Sequence, residues 1–130
     1  MSPSNTDLIR SLYGFNWAAV GDRQSGLAAS VDVLAPDVLA RISPEVGDRT
    51  LHGVEEFAIF VQGLEEDFSE FRYDAAHFHE PAPDQVEATG RIRARGRKSN
   101  MPLTAPFAHV WKLRDGKAVS VEAQIELREG

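Results

Sequence analysis

His109 is the residue whose type and position point most directly to chemistry. Two-residue alternation along the strand predicted from Leu103 to Arg114 places it in an apolar row with Phe107 and Trp111. Imidazole titrates near neutral pH, so His109 can serve as a hydrogen-bond donor or an acid if this face looks into a cavity. The alternative is a core histidine that is satisfied by a single hydrogen bond.

His77 and His79 suggest a different chemistry. Their spacing puts both imidazoles on one face of a strand, where His109 could supply a third nitrogen ligand for a metal ion. No carboxylate obviously completes such a set, and His79 stands close to Pro81 at a strand end, where exposure is expected. A metal-dependent enzyme is therefore a separate hypothesis.

Four arginines form a basic row along one long predicted strand. The row consists of Arg91, Arg93, Arg95 and Arg97. It either binds an anionic ligand or forms the outer face of a sheet, where it would pair with Glu122 and Glu126 or contact a second subunit. The small residues Ala88, Gly90 and Ala94 lie on the opposite face and leave room for the floor of a pocket.

The composition narrows the class of protein. The chain has 130 residues, of which 42% are apolar and 26% charged, as expected for one globular domain. Its formal net charge of −6 disfavours nucleic acid and anionic membranes as partners. The absence of cysteine excludes disulfides, thiolate nucleophiles and cysteine-ligated zinc. We recognise neither a signal peptide nor an apolar run that could span a membrane, and we expect a cytoplasmic protein.

The elements that must position these residues begin with helices. Apolar residues at helical spacing predict a first helix from Thr6 or Asp7 to Gly21 and a second from Asp22 that ends before Pro36. The inward positions of the second helix are predicted to be Leu27, Val31 and Leu34.

A short strand from Val38 to Ser43, a loop and a third helix come next. The third helix begins at Val54, and its acidic first turn suits the helix dipole. Its predicted buried face consists of Val54, Phe57, Val61, Leu64 and Phe68.

The apolar period then changes from 3.6 to 2, which predicts four strands over residues 71–80, 85–98, 103–114 and 117–128. Asp115-Gly116 between the last two runs is a strong hairpin signal. Helices followed by an antiparallel meander indicate an α+β domain.

Several short segments, in this order and spacing, resemble the SnoaL-like group of the nuclear transport factor 2-like superfamily. They are Phe15-Asn16, Gly21-Asp22, Pro36-Asp37, the run from His52 to Phe57 and the run from Ala108 to Lys117. The resemblance implies one domain over residues 1–130, with a cone-shaped, curved antiparallel sheet wrapped on three N-terminal helices around an apolar pocket. It also implies a homodimer formed through the outer face of the sheet.

The resemblance also implies roles for individual residues. His109 occupies the place where related isomerases carry an acid that stabilises a developing enolate. The place of the isomerase base falls near Ile42, where this chain has no acid. SnoaL-like cyclases often carry an aromatic residue and, two positions later, an aspartate near the end of the last strand. The corresponding positions in this chain resemble Gln124 and Glu126, so Glu126 is the predicted general base. Simple alternation would turn Glu126 away from the pocket unless a β-bulge before it changes the face to which its side chain points.

The sequence leaves three alternative hypotheses for the function. The first hypothesis is a cofactor-free acid/base enzyme of the cyclase or isomerase type that acts on a hydrophobic carbonyl compound, with His109 and Glu126 as catalytic residues. The second is a non-catalytic module that binds an apolar ligand or a partner chain in the same pocket, and the third is the metal-dependent enzyme. The predicted ligand-binding residues are Tyr13, Trp17, Phe57, Val61, Phe107, Trp111 and Gln124.

Overall fold

The computed structural model describes residues 4–42 and 49–125 as an α+β fold. In this part of the chain three helices span Asn5–Arg10 (α1), Val20–Val33 (α2) and Gly53–Asp67 (α3). The strands β1 to β6 span Leu34–Arg41, Thr50–His52, Phe68–Ala82, Gln85–Gly96, Pro102–Arg114 and Lys117–Ile125. The predicted fold class, helices packed on one sheet around an apolar interior, is confirmed.

The six strands form one mixed sheet that does not close, in the order β2-β1-β6-β5-β4-β3. Strands β3 to β6 make the predicted antiparallel meander. The prediction of a wholly antiparallel sheet is wrong for one pair, because β1 and β6 run parallel with Arg41 opposite Glu122. Helix α3 and strand β3 carry the chain to the far edge before the meander turns back, so β6 arrives beside β1 in the same direction.

The N-terminal segment is not the single long helix that its apolar spacing predicts. Helix α1 begins after the cap Ser4 and ends at Arg10, and Gly14 then adopts a φ of +97° that interrupts a helix. The backbone N–H of Trp17 donates to the carbonyl oxygen of Phe71 over 2.9 Å, and Oδ1 of Asn16 accepts from the Phe71 N–H over 2.9 Å. These bonds to β3 replace the helical bonds of the segment.

The inward face predicted for helix α2 is confirmed only in part. Leu27 is half-buried against the core, and Leu34 is buried but belongs to β1. The buried residues of α2 are Arg23, Gly26, Ser30 and Val33, whereas Val31 is 62% exposed. The face is selected by Trp17, which packs directly on Gly26. A Cβ atom at Gly26 would lie 2.6 Å from the Trp17 ring, so the close approach of ring and helix requires glycine there.

The acidic C-terminal end of α3 is held by two arginines. Nε and Nη2 of Arg97 donate to the carbonyl oxygens of Glu65 and Phe68 over 2.6 and 3.2 Å. The nearly buried Arg23 approaches Glu65 Oε2 at 3.5 Å. These cations compensate for carboxylates at the negative end of the helix dipole.

Strand β1 starts at Leu34, earlier than predicted, and includes Pro36. Its register with β6 shifts between Leu34 and Leu39, so the proline falls where the ladder is irregular. The three-residue strand β2 was not predicted, because so short a segment carries no periodic pattern.

The two faces of β4 are as predicted, but the prediction that Ala88, Gly90 and Ala94 form the floor of a pocket is wrong, because none of them lines the interior cavity. Val86, Ala88, Ile92 and Ala94 are buried on the inner face, and Arg91, Arg93 and Arg95 are exposed on the outer face. Arg97 lies beyond the end of β4 and bonds the end of α3 instead. The predicted partners differ, because Arg93 lies 3.6 Å from Asp74 on β3, while Glu122 lies 4.0 Å from Arg41 on β1.

Two helical glycines give a matched test of this packing. We expect Gly26→Ala to lower the free energy of unfolding by about 1 to 2 kcal/mol, because overpacking against Trp17 exceeds the gain in helix propensity. Gly63→Ala in α3, where a Cβ meets nothing within 4 Å, should raise it by about 0.5–1 kcal/mol. Urea denaturation measures both, and equal effects would contradict the packing of Trp17 on Gly26.

Candidate active site

A cavity of about 80 Å³ lies between the inner face of the sheet and the two longer helices. The segment between α1 and α2 forms a further wall. The cavity is lined by Leu12, Tyr13, Trp17, Ser30, Leu34, Ala40, Ile42, Phe57, Phe60, Val61, Leu64, Tyr73, His109, Trp111, Val121 and Ala123. The wall is almost entirely apolar, so each polar atom in it has a strong influence on what can bind.

His109 reaches this cavity from β5 and is held by a chain of two hydrogen bonds. Nε1 of Trp111 donates to the hydroxyl oxygen of Tyr13 over 2.9 Å. The Tyr13 oxygen lies 2.7 Å from Nδ1 of His109. The Tyr13 hydroxyl has its own proton to place, and among the described residues Nδ1 of His109 is the acceptor within its reach, so we assign the phenolic proton to Nδ1. The proton of the neutral imidazole then lies on Nε2.

The surroundings of His109 keep the imidazole uncharged. The rings of Phe107 and Tyr73 lie 4.5 and 4.8 Å from it, measured between ring centroids. Burial among these rings lowers the pKa of His109 to about 3, because the charged form loses its hydration. At neutral pH His109 is therefore a hydrogen-bond donor rather than a cationic acid.

The two tyrosines of the cavity are also neutral. Burial raises the pKa of Tyr13 above its usual range, the hydrogen bond from Trp111 opposes this rise, and nearby Tyr73 adds to it. Burial raises the pKa of Tyr73 to about 12. Sequence reasoning missed Tyr73, although its alternation with Phe71 on the face opposite Arg72 and Asp74 could have indicated it.

The structure brings most of the predicted ligand-binding residues together. Tyr13, Trp17, Phe57, Val61 and Trp111 line the cavity. Phe107 is buried behind it and packs on His109 and Tyr73. The side chain of Gln124 and the whole of Glu126, the predicted base, lie outside the described residues.

No carboxylate lines the cavity in the part of the chain that the structure describes. Glu122 is exposed on the outer face of β6, while its neighbours Val121 and Ala123 face the cavity, as alternation predicts. Ile42 lines the cavity near the place where the isomerase pattern carries its base.

The three histidines of the metal hypothesis do not converge. Phe78 packs on the core beside Tyr13, so its neighbours His77 and His79 point to the opposite face and are exposed. His109 is buried on the inner face with Nδ1 bonded to Tyr13. Within residues 4–42 and 49–125 no three metal-ligating side chains form a group, so the proposed ligand set is wrong.

None of the described helices has the length and apolar character needed to cross a membrane.

An α+β domain in which helices cover one open mixed sheet around an apolar cavity is the architecture of nuclear transport factor 2-like proteins. Residues 17–121 match the SnoaL-like domain, and the chain belongs to this family. Among curated proteins, a sequence search finds no match.

Solved structures show the same fold. A nuclear transport factor 2-like protein of unknown function from Burkholderia pseudomallei superposes with a TM-score of 0.79 at 23% identity, over 96% of this chain and 92% of that one. A structure described as a SnoaL-like polyketide cyclase from Jannaschia gives 0.78 at 16% identity, over 97% and 90%. TerC, co-crystallised with polyporic acid, gives 0.75 at 24% identity, over 94% and 91%.

The depressed pKa of His109 makes stability depend on pH. The unfolded chain binds a proton at His109 below about pH 6.5, while the folded protein resists it down to about pH 3, so stability falls as the pH drops through this window. Relative to His109→Phe, which cannot titrate there, we expect the unaltered protein to lose about 1 kcal/mol of unfolding free energy between pH 6.5 and 5.5. Urea denaturation at both pH values measures this difference, and parallel behaviour of the two proteins would show that His109 is not desolvated.

Proposed function

We propose that this protein binds a hydrophobic carbonyl compound in the cavity and that Nε2 of His109 donates a hydrogen bond to the carbonyl oxygen. The observation that carries the proposal is the chain from Trp111 through Tyr13 to Nδ1 of His109. Among the described residues, that chain leaves Nε2 of the imidazole for a ligand, inside a wall that is mostly apolar.

Two further features support this assignment. A mostly apolar wall favours burial of a hydrophobic ligand, and an oriented donor in it favours an oxygen acceptor over a purely hydrocarbon ligand. The similar structure of TerC was co-crystallised with polyporic acid, which supports the use of this fold for binding an organic ligand.

We extend the proposal to cofactor-free proton transfer of the cyclase or isomerase type. A donor fixed at a carbonyl oxygen stabilises the negative charge that develops when a proton leaves the adjacent carbon. A base must accept that proton, and the described part of the cavity wall offers none. We assign this role to Glu126, which follows the last described residue, Ile125. His109 then acts as the stabilising donor and Glu126 as the base.

A catalytically silent protein would use the same pocket for binding alone. The two functions differ only at the step of proton removal, so a ligand that binds without exchanging its acidic carbon-bound protons would identify a binding module. The metal-dependent alternative has no support in the described residues, because His77 and His79 do not converge with His109.

Exchange of carbon-bound hydrogen tests the proposal directly. We expect the unaltered protein to bind aryl ketones such as acetophenone and 1-tetralone and to speed deuterium incorporation next to the carbonyl, followed by proton NMR in D₂O. Glu126→Gln should slow exchange by at least about a hundredfold through loss of the base. His109→Phe should slow it by about a hundredfold through loss of the donor.

The control is Glu66→Gln, the same substitution at an exposed carboxylate of α3, which should exchange at the unaltered rate. Binding of the ketones without exchange would support the silent module and remove Glu126 from the proposal. Absence of ketone binding would contradict both forms of it.

We also propose a homodimer formed through the outer face of the sheet. A shallow groove there combines apolar Leu39, which is 44% exposed, with the cations Arg41 and Lys112 and the carboxylate of Glu122. A two-fold axis places such a surface against its own copy, where groups of opposite charge can pair. Location in the cytoplasm stays a prediction from the sequence.

Sedimentation equilibrium tests the dimer. Leu39→Glu should weaken association by placing a charge in the interface, whereas Ile59→Glu, at a 69% exposed position of α3, should not. The dimer through this face would be ruled out if the unaltered protein stays monomeric at all concentrations. It would also be ruled out if both substitutions weaken association equally.

A further inference from the structure

Gly26 of α2 and the indole of Trp17 meet on the helix side of the cavity. A Cβ atom at Gly26 would lie 2.6 Å from Cη2 and 2.8 Å from Cζ3 of Trp17, which are atoms at the outer rim of the indole. Trp17 lines the cavity, and so does Ser30, which follows Gly26 by one turn of the same helix. The indole therefore lies in a recess of the helix surface that the missing side chain of Gly26 creates.

The backbone of Trp17 is held on both sides and cannot retreat from a larger residue at position 26. Its N–H donates to the carbonyl oxygen of Phe71 over 2.9 Å. Its own carbonyl oxygen accepts from Nη1 of the nearly buried Arg23 at 3.5 Å. Arg23 also approaches Glu65 of α3 at 3.5 Å, which holds α2 in place. A clash at this point has to be relieved by rotation of the indole.

The cavity is the open space into which the indole can rotate. The ring packs edge-on against Phe57 and Phe15, with 5.9 and 5.8 Å between ring centroids. A Cβ atom at Gly26 would also lie 3.2 Å from Cδ2 of Phe15, so that side is occupied. Protein interiors are close-packed, and a displaced ring moves to where atoms are missing. A side chain at Gly26 would therefore narrow a cavity that this residue does not itself line.

We propose that Gly26 and Trp17 together determine the size of the ligand that the cavity accepts. This inference rests on the function proposed above and deepens it by adding a limit on the apolar part of the ligand. The indole packs on Phe57, whereas His109 packs on Phe107 and Tyr73. A change at Gly26 thus alters the space for the ligand while leaving the surroundings of the His109 imidazole in place.

The size limit distinguishes ligands that share a carbonyl group and differ in bulk. Acetophenone and 1-tetralone are both aryl ketones, and 1-tetralone carries additional methylene groups in a second ring. The larger ketone fills more of the space beside the indole, so it loses more when the indole rotates inwards. Overpacking in a close-packed interior is unfavourable even when a single methylene group is added.

NMR titration of the full chain with the two ketones tests the inference. We expect Gly26→Ala to weaken binding of 1-tetralone about tenfold more than binding of acetophenone. Trp17→Phe, which has a smaller ring, should shift the preference towards 1-tetralone. Adding Gly26→Ala to Trp17→Phe should change the preference little, because the two residues act through one contact. Gly63→Ala, the matched control in α3, should leave the preference unchanged.

The outcomes separate the size limit from the proposed function. If Gly26→Ala weakens both ketones equally, or acts as strongly in the Trp17→Phe background, the inference is overturned while the role of His109 stands. If Gly26→Ala does not fold, or if the unaltered protein binds acetophenone alone, the test is Trp17→Phe, and no gain in 1-tetralone binding overturns the inference. If neither ketone binds the unaltered protein, the proposed function is overturned and the size limit with it.

Discussion

The attachment of Asn16 and Trp17 to Phe71 is the constraint on which the cavity depends. Two backbone groups of β3 are bonded to this N-terminal segment, which therefore cannot continue as a helix and crosses the inner face of the sheet. That path brings Tyr13 over β5 and Trp17 onto the glycine face of α2. The cavity wall and the support of His109 thus follow from hydrogen bonds formed more than fifty residues apart in sequence.

The polar groups around the cavity are organised to remain uncharged. Burial among aromatic rings disfavours the imidazolium form of His109 and the phenolate forms of both tyrosines. What remains is a set of neutral donors whose directions are fixed by one another, in a medium where each hydrogen bond is stronger than in water. Such a set suits an oxygen acceptor of a bound ligand.

Much of the site could be predicted from single strands. Alternation identified His109, Phe107 and Trp111 as one inward row and placed Arg91, Arg93 and Arg95 outside, because side chains of a strand point to opposite faces in turn. The same rule held for His77 and His79, which share the face opposite Phe78, but that face is exposed and turned away from His109. The buried face of α2 was predicted only in part, because packing of the Trp17 ring on Gly26, rather than the helix's own apolar spacing, selects that face.

The sequence by itself determined the order of helices and strands, the α+β class, the hairpin at Asp115-Gly116 and the row that contains His109, because local period and turn chemistry act between near neighbours. Tertiary structure alone decided the parallel pairing of β1 with β6, the early end of α1 and the bonding of Tyr13 to both Trp111 and His109. It also decided the role of Tyr73 as a wall of the cavity. These contacts join residues far apart in the chain, and their geometry depends on packing that no local pattern encodes.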